Sequence, residues 1–112
     1  MTWVITDKAD GPMLGLVGLC RFVHEHRRAE VAYELLPEYR GRGLVSEAVD
    51  RVVEYAFTGL GLHRVEGHAD PANTKSVRVL ERCGFSREGL LRENYLFGGK
   101  FYDTVIFGRL VG

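Results

Sequence analysis

The stretch from residue 37 to residue 46 constrains the fold most, because it connects a strand pattern to a helix pattern through two glycines. Residues 30–36 before it are rich in β-forming side chains and stop at Pro37, as a strand does before a turn. The apolar residues after it recur at spacings of three and four, up to Gly59 and Gly61: Val45, Ala48, Val49, Val52, Val53, Ala56 and Phe57. This period predicts a helix with one buried face, so a strand, a turn and a helix follow one another directly.

The same turn has the chemistry of an anion site. The first N–H groups of a helix have no partner within the helix and lie at the positive end of its dipole, and glycine lets a phosphate approach them closely. Arg40 and Arg42 add positive charge, and the N–H groups would come from Gly41, Gly43, Leu44, Val45 and Ser46. A solvated turn before an ordinary helix is the alternative, because Gly-rich turns are common.

Two well-known phosphate-binding motifs do not fit these residues. A P-loop requires Lys followed by Ser or Thr after its last glycine, where this chain has Leu44 and Val45. A dinucleotide-binding turn requires a third glycine where this chain has Ser46. An anion bound here would therefore be held mainly by backbone N–H groups.

A second motif lies further along the chain, where Asn73 can cap a helix that Gly84 can end. The ordered pair Arg40-x-x-Gly43 and Asn73-x-x-Ser76, with Glu81-Arg-Cys-Gly-Phe85 after it, resembles the GNAT acyl-CoA N-acyltransferases. Within that superfamily the chain is most similar to the RimJ/RimL-type branch. The best-known members of this branch acetylate protein N-termini, and their relatives modify small amines.

The resemblance covers nearly the whole chain and implies one α+β domain over residues 1–112. The implied fold is a mixed, mostly antiparallel, twisted sheet flanked by helices, without the family's usual first strand and first two helices. Strand patterns cover residues 3–6, 13–22, 30–36, 63–69, 85–97 and 101–110, and helix patterns cover 45–57 and 73–83. By the resemblance, the strands at Glu30 and His63 run parallel and separate, which leaves a cleft.

Acetyl-CoA is the co-substrate that the resemblance implies for this cleft. Its pyrophosphate would lie against the turn that contains Gly43. Its pantetheine arm would lie between the separated strands, bonded by backbone groups of Leu35 and Leu36 and by the side chain of Asn73. Val45 stands where family members carry glycine or alanine.

The implied reaction moves an acetyl group to a primary amine, either a protein N-terminus or a small-molecule amine. Ser76 matches the serine that protonates the departing thiolate in RimL-type members, although polar residues also suit the first turn of a helix for structural reasons. Glu30 lies near the strand carboxylate that histone-acetylating members use, which makes it the first candidate for the general base. Glu93 and Asp103 are alternatives, because Tyr95 occupies the position of the RimL-type glutamate.

An acyl-CoA-binding module or subunit without catalysis of its own is the alternative function, since the elements that usually shape the acceptor pocket are missing from the pattern. A homodimer is also expected. A sheet without its first strand exposes an edge, and the apolar stretch from Met13 to Phe22 would lie at that exposed region.

Composition argues against other classes of protein. The 15 basic and 15 acidic side chains cancel, so no broad cationic surface is available for nucleic acid. Neither a membrane span nor a signal peptide is expected, and two isolated cysteines, Cys20 and Cys83, suit a soluble protein of the reducing cytoplasm. The motif His24-Glu25-His26 has no further ligand at metal-binding spacing, so no metal is expected.

Overall fold

The computed structural model describes residues 1–6, 11–36 and 43–112, which form a six-stranded sheet and two α-helices. In chain order the elements are β1 (Thr2–Ile5), β2 (Gly15–Val23), a short 3-10 helix (His24–His26), β3 (Arg28–Leu35), α1 (Leu44–Thr58), β4 (Arg64–Ala69), α2 (Thr74–Arg82), β5 (Ser86–Phe97) and β6 (Lys100–Leu110). Every predicted strand and helix is present, with ends within two residues of the predicted ones. The α+β prediction is therefore confirmed.

The strands lie in the order β1, β2, β3, β4, β6, β5. Among the described strands, only β3 and β4 pair in parallel, and the other neighbours are antiparallel. The helix α1 connects the two parallel strands, as such a crossover requires. The sheet is thus mixed and mostly antiparallel, as predicted.

The parallel pair separates at its carboxyl end. Pairing runs from Arg28 opposite Arg64 to Val31 opposite Gly67. Beyond this point β3 continues to Leu35 and β4 to Ala69, but these residues do not pair with each other. The predicted separation of the two strands is therefore present, and it leaves a gap in the middle of the sheet.

Both helices pack on one face of the sheet, which we call the helix face. In the regular parts of the inner strands the odd-numbered residues point to this face, and many of them are buried, for example Val17, Val31 and Val65. They pack against the apolar side chains of α1 and against Leu80 of α2. The even-numbered residues form the other face, which no described helix covers; we call it the open face.

The contact between α2 and β4 depends on Gly67. A Cβ atom at this position would lie 2.5 Å from a methyl carbon of Leu80, whose side chain is fully buried. Glycine therefore lets α2 lie directly against the strand. This contact fixes the position of the helix that carries Asn73 and Ser76.

The exposed apolar surface lies only partly where the sequence suggested. The stretch from Met13 to Phe22 was expected at an exposed region; Met13 and Leu16 are exposed, but β2 lies between β1 and β3, with Val17 and Leu19 buried. More of the large exposed apolar side chains occur along the hairpin of β5 and β6, where β5 is an edge strand: Leu90, Leu91, Tyr95, Leu96, Phe97 and Phe101. None of the described helices is long and apolar enough to cross a membrane.

Candidate functional site

A cavity of about 550 Å³ lies between the first turns of α1 and α2 and the end of β3. This volume is in the range of small-molecule sites. Seven of the predicted site residues line it: Leu35, Gly43, Leu44, Val45, Ser46, Asn73 and Ser76. The predicted residues Arg40, Gly41 and Arg42 lie outside the described residues.

The first turn of α1 presents backbone donors to the cavity. Gly43 precedes the helix with φ +74°, a left-handed conformation that favours glycine. Within the described part of the chain, no side chain caps this helix, and its first residues line the cavity. The N–H groups of a first turn have no partner within the helix, so this end of α1 is suited to an anion.

The first turn of α2 is capped by Asn73. Its Oδ1 atom accepts a hydrogen bond from the N–H of Ser76 at 3.2 Å. The side-chain NH₂ group of Asn73 is still able to donate to a ligand, because capping uses only the oxygen. Asn73 thus caps α2, and its NH₂ group is available for the predicted hydrogen bond to the pantetheine arm.

The Ser76 hydroxyl forms a pair with the hydroxyl of Tyr33, at a distance of 2.8 Å. The Tyr33 hydroxyl also lies 3.3 Å from the carbonyl oxygen of Ser76. Burial raises the pKa of Tyr33, and the hydrogen bond with Ser76 only partly opposes this effect. Tyr33 therefore keeps its proton at neutral pH and can donate it to Ser76.

Cys83 connects the two helices. Its thiol donates to the carbonyl oxygen of Ser46 at 3.3 Å, which ties the end of α2 to the start of α1. Burial raises the pKa of Cys83, so the group stays a thiol. This agrees with a packing role for Cys83 rather than a nucleophilic one.

The two predicted backbone positions on β3 differ in their hydrogen bonds. The N–H of Leu36 donates to the carbonyl oxygen of Leu14 at 2.9 Å and is therefore not free for a ligand. In an antiparallel pair, successive residues turn their N–H groups to opposite sides. Leu35 therefore turns its N–H away from β2 and towards the gap, and it is the better donor of the two.

Three basic side chains of α2 line the same cavity, and the sequence analysis missed them. Lys75, Arg78 and Arg82 are spaced by three and four residues, so they lie on one side of the helix. This spacing was visible in the sequence once a helix had been predicted there. Their charges add to the anion-binding character of the cavity.

The first base candidate, Glu30, lies elsewhere, on the open face. Its carboxylate is 3.6 Å from Nδ1 of His68 and 3.5 Å from the Arg21 guanidinium. The alternatives Glu93 and Asp103 do not line the cavity either. Asp103 accepts a hydrogen bond from the Glu93 N–H at 2.8 Å, at an irregularity in the β5–β6 pairing.

A second cavity, of about 590 Å³, lies between β1 and α1 and is lined by Trp3 and Tyr55, whose rings meet edge to face. Of the predicted site residues that the structure describes, only Leu44 lines it. The described residues of the first cavity therefore bring together more of the predicted donors. In the described ranges, no group of three or more His, Cys, Asp and Glu side chains is arranged to hold a metal ion.

Comparison with protein families matches residues 1–86 to the model of the acetyltransferase (GNAT) domain. The chain is 36% identical over 105 residues to the uncharacterized N-acetyltransferase YoaA of Bacillus subtilis, a match that covers 94% of this chain and 59% of that protein. It is 34% identical over 100 residues to the spermidine N(1)-acetyltransferase of Vibrio cholerae, covering 89% of this chain and 58% of the relative.

A solved structure of a GNAT-family acetyltransferase from Bacillus anthracis has a TM-score of 0.89 with this chain at 27% identity. The match covers 97% of this chain and 65% of that one. The chain therefore spans less than two thirds of the length of the proteins it matches.

Proposed function

The chain belongs to the GNAT acetyltransferase family, and from this premise we propose that it moves an acetyl group from acetyl-CoA to a primary amine. The proposal rests on the first cavity, which is lined by the first turns of α1 and α2, three basic side chains and the hydroxyl of Ser76. Acetyl-CoA carries phosphates at one end and a thioester at the other. It therefore requires anion-binding groups and a proton donor in the same cavity.

The proposed position of acetyl-CoA follows from the donors around the cavity. The pyrophosphate lies against the first turn of α1, where Gly43 leaves the backbone accessible. Lys75, Arg78 and Arg82 supply charge to the phosphates. The pantetheine arm enters the gap between β3 and β4, where the N–H of Leu35 faces it and the NH₂ of Asn73 is within the same cavity.

In the proposed reaction, the amine nitrogen forms a bond to the acetyl carbon and the carbon–sulfur bond breaks. We assign to the Leu35 N–H the stabilisation of the oxyanion of the tetrahedral intermediate. Ser76 gives its proton to the departing thiolate and is held for this by Tyr33 at 2.8 Å. Ser76 regains a proton from solvent, while the nitrogen loses its surplus protons to a base.

The proposal extends to a RimJ/RimL-type enzyme, because Asn73 and Ser76 keep that motif at the start of α2. The acceptor is proposed to be a protein N-terminus or a small-molecule amine. A spermidine N(1)-acetyltransferase among the relatives supports including polyamines in the test. Two free cysteines support the cytoplasm as the proposed location.

We propose a homodimer formed through the β5–β6 hairpin. The edge strand β5 is 12 residues long and exposed along nearly its whole length. Apolar side chains such as Leu96, Phe97 and Phe101 are more than half exposed there. Edges and apolar patches of this kind are commonly covered by association.

The direct test is CoA-thiol release from acetyl-CoA with a panel of acceptors: an N-terminal peptide, a lysine peptide, spermidine and an aminoglycoside. Calorimetry with acetyl-CoA alone is run in parallel. Release with one acceptor class supports the transferase and identifies its substrate. Binding without release from any acceptor contradicts it and favours a CoA-binding module, whereas no binding contradicts both.

A further inference from the structure

The side chain of Tyr33 reaches from β3 to the first turn of α2. Its hydroxyl lies 2.8 Å from the Ser76 hydroxyl and 3.3 Å from the Ser76 carbonyl oxygen. The Asn73 cap uses the N–H of Ser76 and leaves the hydroxyl free of the cap. Among the described residues, Tyr33 is thus the one side chain that can pass a proton directly to the Ser76 hydroxyl.

Tyr33 is also close to the proposed position of the acetyl group. It precedes Leu35 by two residues, which is about 7 Å along a strand. Two residues apart on a strand, the side chains of Tyr33 and Leu35 share the helix face. Tyr33, Leu35 and Ser76 line the same cavity. The pair of hydroxyls therefore borders the cavity in which the thioester is proposed to bind.

A serine hydroxyl is a poor proton donor when it acts alone. Proton loss from Ser76 would leave an alkoxide, which is a much stronger base than the thiolate that it protonates. A phenol is a closer match, since the ordinary pKa of tyrosine is about 10 and that of a thiol is about 8.5. When Ser76 donates to sulfur, its oxygen can accept the proton of Tyr33 at the same time. The negative charge then ends on the phenolate of Tyr33 instead of on Ser76.

The charges around the cavity favour a phenolate in this position. From α2 the charged side chains are Lys75, Arg78 and Arg82, and β3 contributes Glu34, so cations outnumber carboxylates. Cys83 is the other titratable group near Tyr33, and it stays a neutral thiol. The described residues of α1 that line the cavity carry no charge. The first turn of α2, which the phenol meets, is the positive end of that helix.

We infer that the proton which reaches the departing sulfur originates on Tyr33 and that the Ser76 hydroxyl passes it on. This inference rests on the proposed function and adds to it a positioning residue, Tyr33, which acts through Ser76.

The transfer balances in atoms and charge. As the carbon–sulfur bond breaks, its electron pair takes the proton of the Ser76 hydroxyl and forms the S–H bond. The Ser76 oxygen takes the proton of Tyr33, so Ser76 is neutral throughout. The solvent proton that restores the pair therefore enters at the Tyr33 phenolate. Of the two protons that the ammonium loses, one compensates for this uptake and the other remains in solvent.

The test is the pH dependence of the single-turnover rate at saturating amine, with difluorotyrosine incorporated at position 33. The rate requires a protonated Tyr33, so it should fall as pH rises through the pKa of this phenol. Burial holds this pKa above the ordinary 10.0. Fluorine makes a phenol more acidic, so the fall should move to lower pH by the difference between the two pKa values. Circular dichroism over the same pH range confirms that each protein stays folded.

Matched controls distinguish a proton source from a residue that only holds Ser76 in place. Difluorotyrosine at position 55, beside Trp3 at the second cavity, should leave the profile unchanged. Tyr33→Phe keeps the ring and should lower the rate at neutral pH roughly a hundredfold or more. It should also abolish the fall at alkaline pH, because the titrating phenol is gone. Its acetyl-CoA affinity should stay nearly unchanged, since the proton moves only as the bond to sulfur breaks.

The outcomes are distinguishable. An unaltered protein that turns over no amine overturns the proposed function and this inference together. An active protein whose alkaline fall stays at the same pH with difluorotyrosine at position 33 overturns the inference alone. A Tyr33→Phe variant that is slow but keeps the alkaline fall also overturns it, because Tyr33 would then only hold Ser76 in place.

Discussion

Ser76 contributes its hydroxyl to the cavity, while its backbone N–H serves the Asn73 cap. Ser76→Ala keeps that N–H, so the cap should survive. If the hydroxyl protonates the thiolate, kcat should fall roughly a hundredfold to ten-thousandfold, with acetyl-CoA affinity nearly unchanged. Kinetics and thermal unfolding on one sample test this. Near-normal kcat with a stability loss of about 1 kcal/mol would assign Ser76 a purely structural role.

Tyr33→Phe is the matched variant for the same pair. It removes the hydroxyl that meets Ser76 at 2.8 Å and keeps the ring. When Tyr33→Phe is combined with Ser76→Ala, it should add little further loss in kcat, because both changes break the same hydrogen bond between the two hydroxyls. Tyr55→Phe, which lies beside Trp3 at the second cavity, serves as the control.

Gly43 is the residue on which the proposed anion binding should depend most. Its φ of +74° strains any other residue, and the space around a Cβ atom there is open towards described atoms. Gly43→Val should weaken acetyl-CoA binding strongly, because the side chain would stand where a phosphate approaches the backbone. Calorimetry measures this, with circular dichroism to confirm folding. Unchanged affinity in a folded variant would remove the pyrophosphate from this turn.

At the scale of helices and strands, α2 packs closely against β4 at Gly67. Gly67→Ala places a methyl group against the buried side chain of Leu80, and we expect a destabilisation of about 1–3 kcal/mol from overpacking. Displacement of α2 should also weaken acetyl-CoA binding, because this helix carries Asn73 and its basic side chains. Gly89→Ala is the control, since a Cβ atom there meets nothing within 4 Å. Equal stability of both variants would contradict the expected overpacking.

Arg64 joins β4 to the edge strand β5 and gives the protein an acid-sensitive contact. Its hydrogen bonds lower the pKa of Glu88; for Glu66, burial alone would raise the pKa, but hydrogen bonds from Arg64 and His68 outweigh it. The folded values thus lie below the ordinary 4.5, so the stabilisation is present above that pH and is lost as pH falls further. Urea unfolding should show this loss, and Arg64→Gln should reduce it. An identical acid dependence in both proteins would contradict the assignment.

The helices and strands were predictable because, within each of these segments, buried side chains recur at the period of a helix or of a strand. Val45 to Phe57 shows the helix period, and residues 64–69 alternate buried and half-buried side chains. The neighbours of His68 were not predictable. Glu30 is far away in sequence and reaches His68 only through the register of the parallel pair, which no local pattern encodes. Likewise, the sequence does not show that the Leu35 N–H is free. This depends on which residues of β3 turn their N–H groups towards β2.

At the scale of the whole protein, the exposed β5–β6 hairpin predicts association with a second copy of the chain. Sedimentation at micromolar concentration should show a dimer, and replacing Phe97 with Asp should shift it towards monomer, because a charge would be buried. Val4→Asp, at an exposed position of the opposite edge strand, is the matched control. A stable monomer at all concentrations, or a dimer broken only by Val4→Asp, would contradict the proposed interface.

The gap between β3 and β4 has a thermodynamic consequence. The pairing between β3 and β4 ends at Val31 and Gly67. A ligand arm lying beyond this point would form hydrogen bonds with the strand backbone, as a neighbouring strand does. Binding and folding would then be linked, and a ligand at a hundred times its Kd would stabilise the protein by about 2.7 kcal/mol. Amide hydrogens beside the gap would exchange with solvent more slowly in the bound form. The co-substrate would serve as a temporary seventh strand.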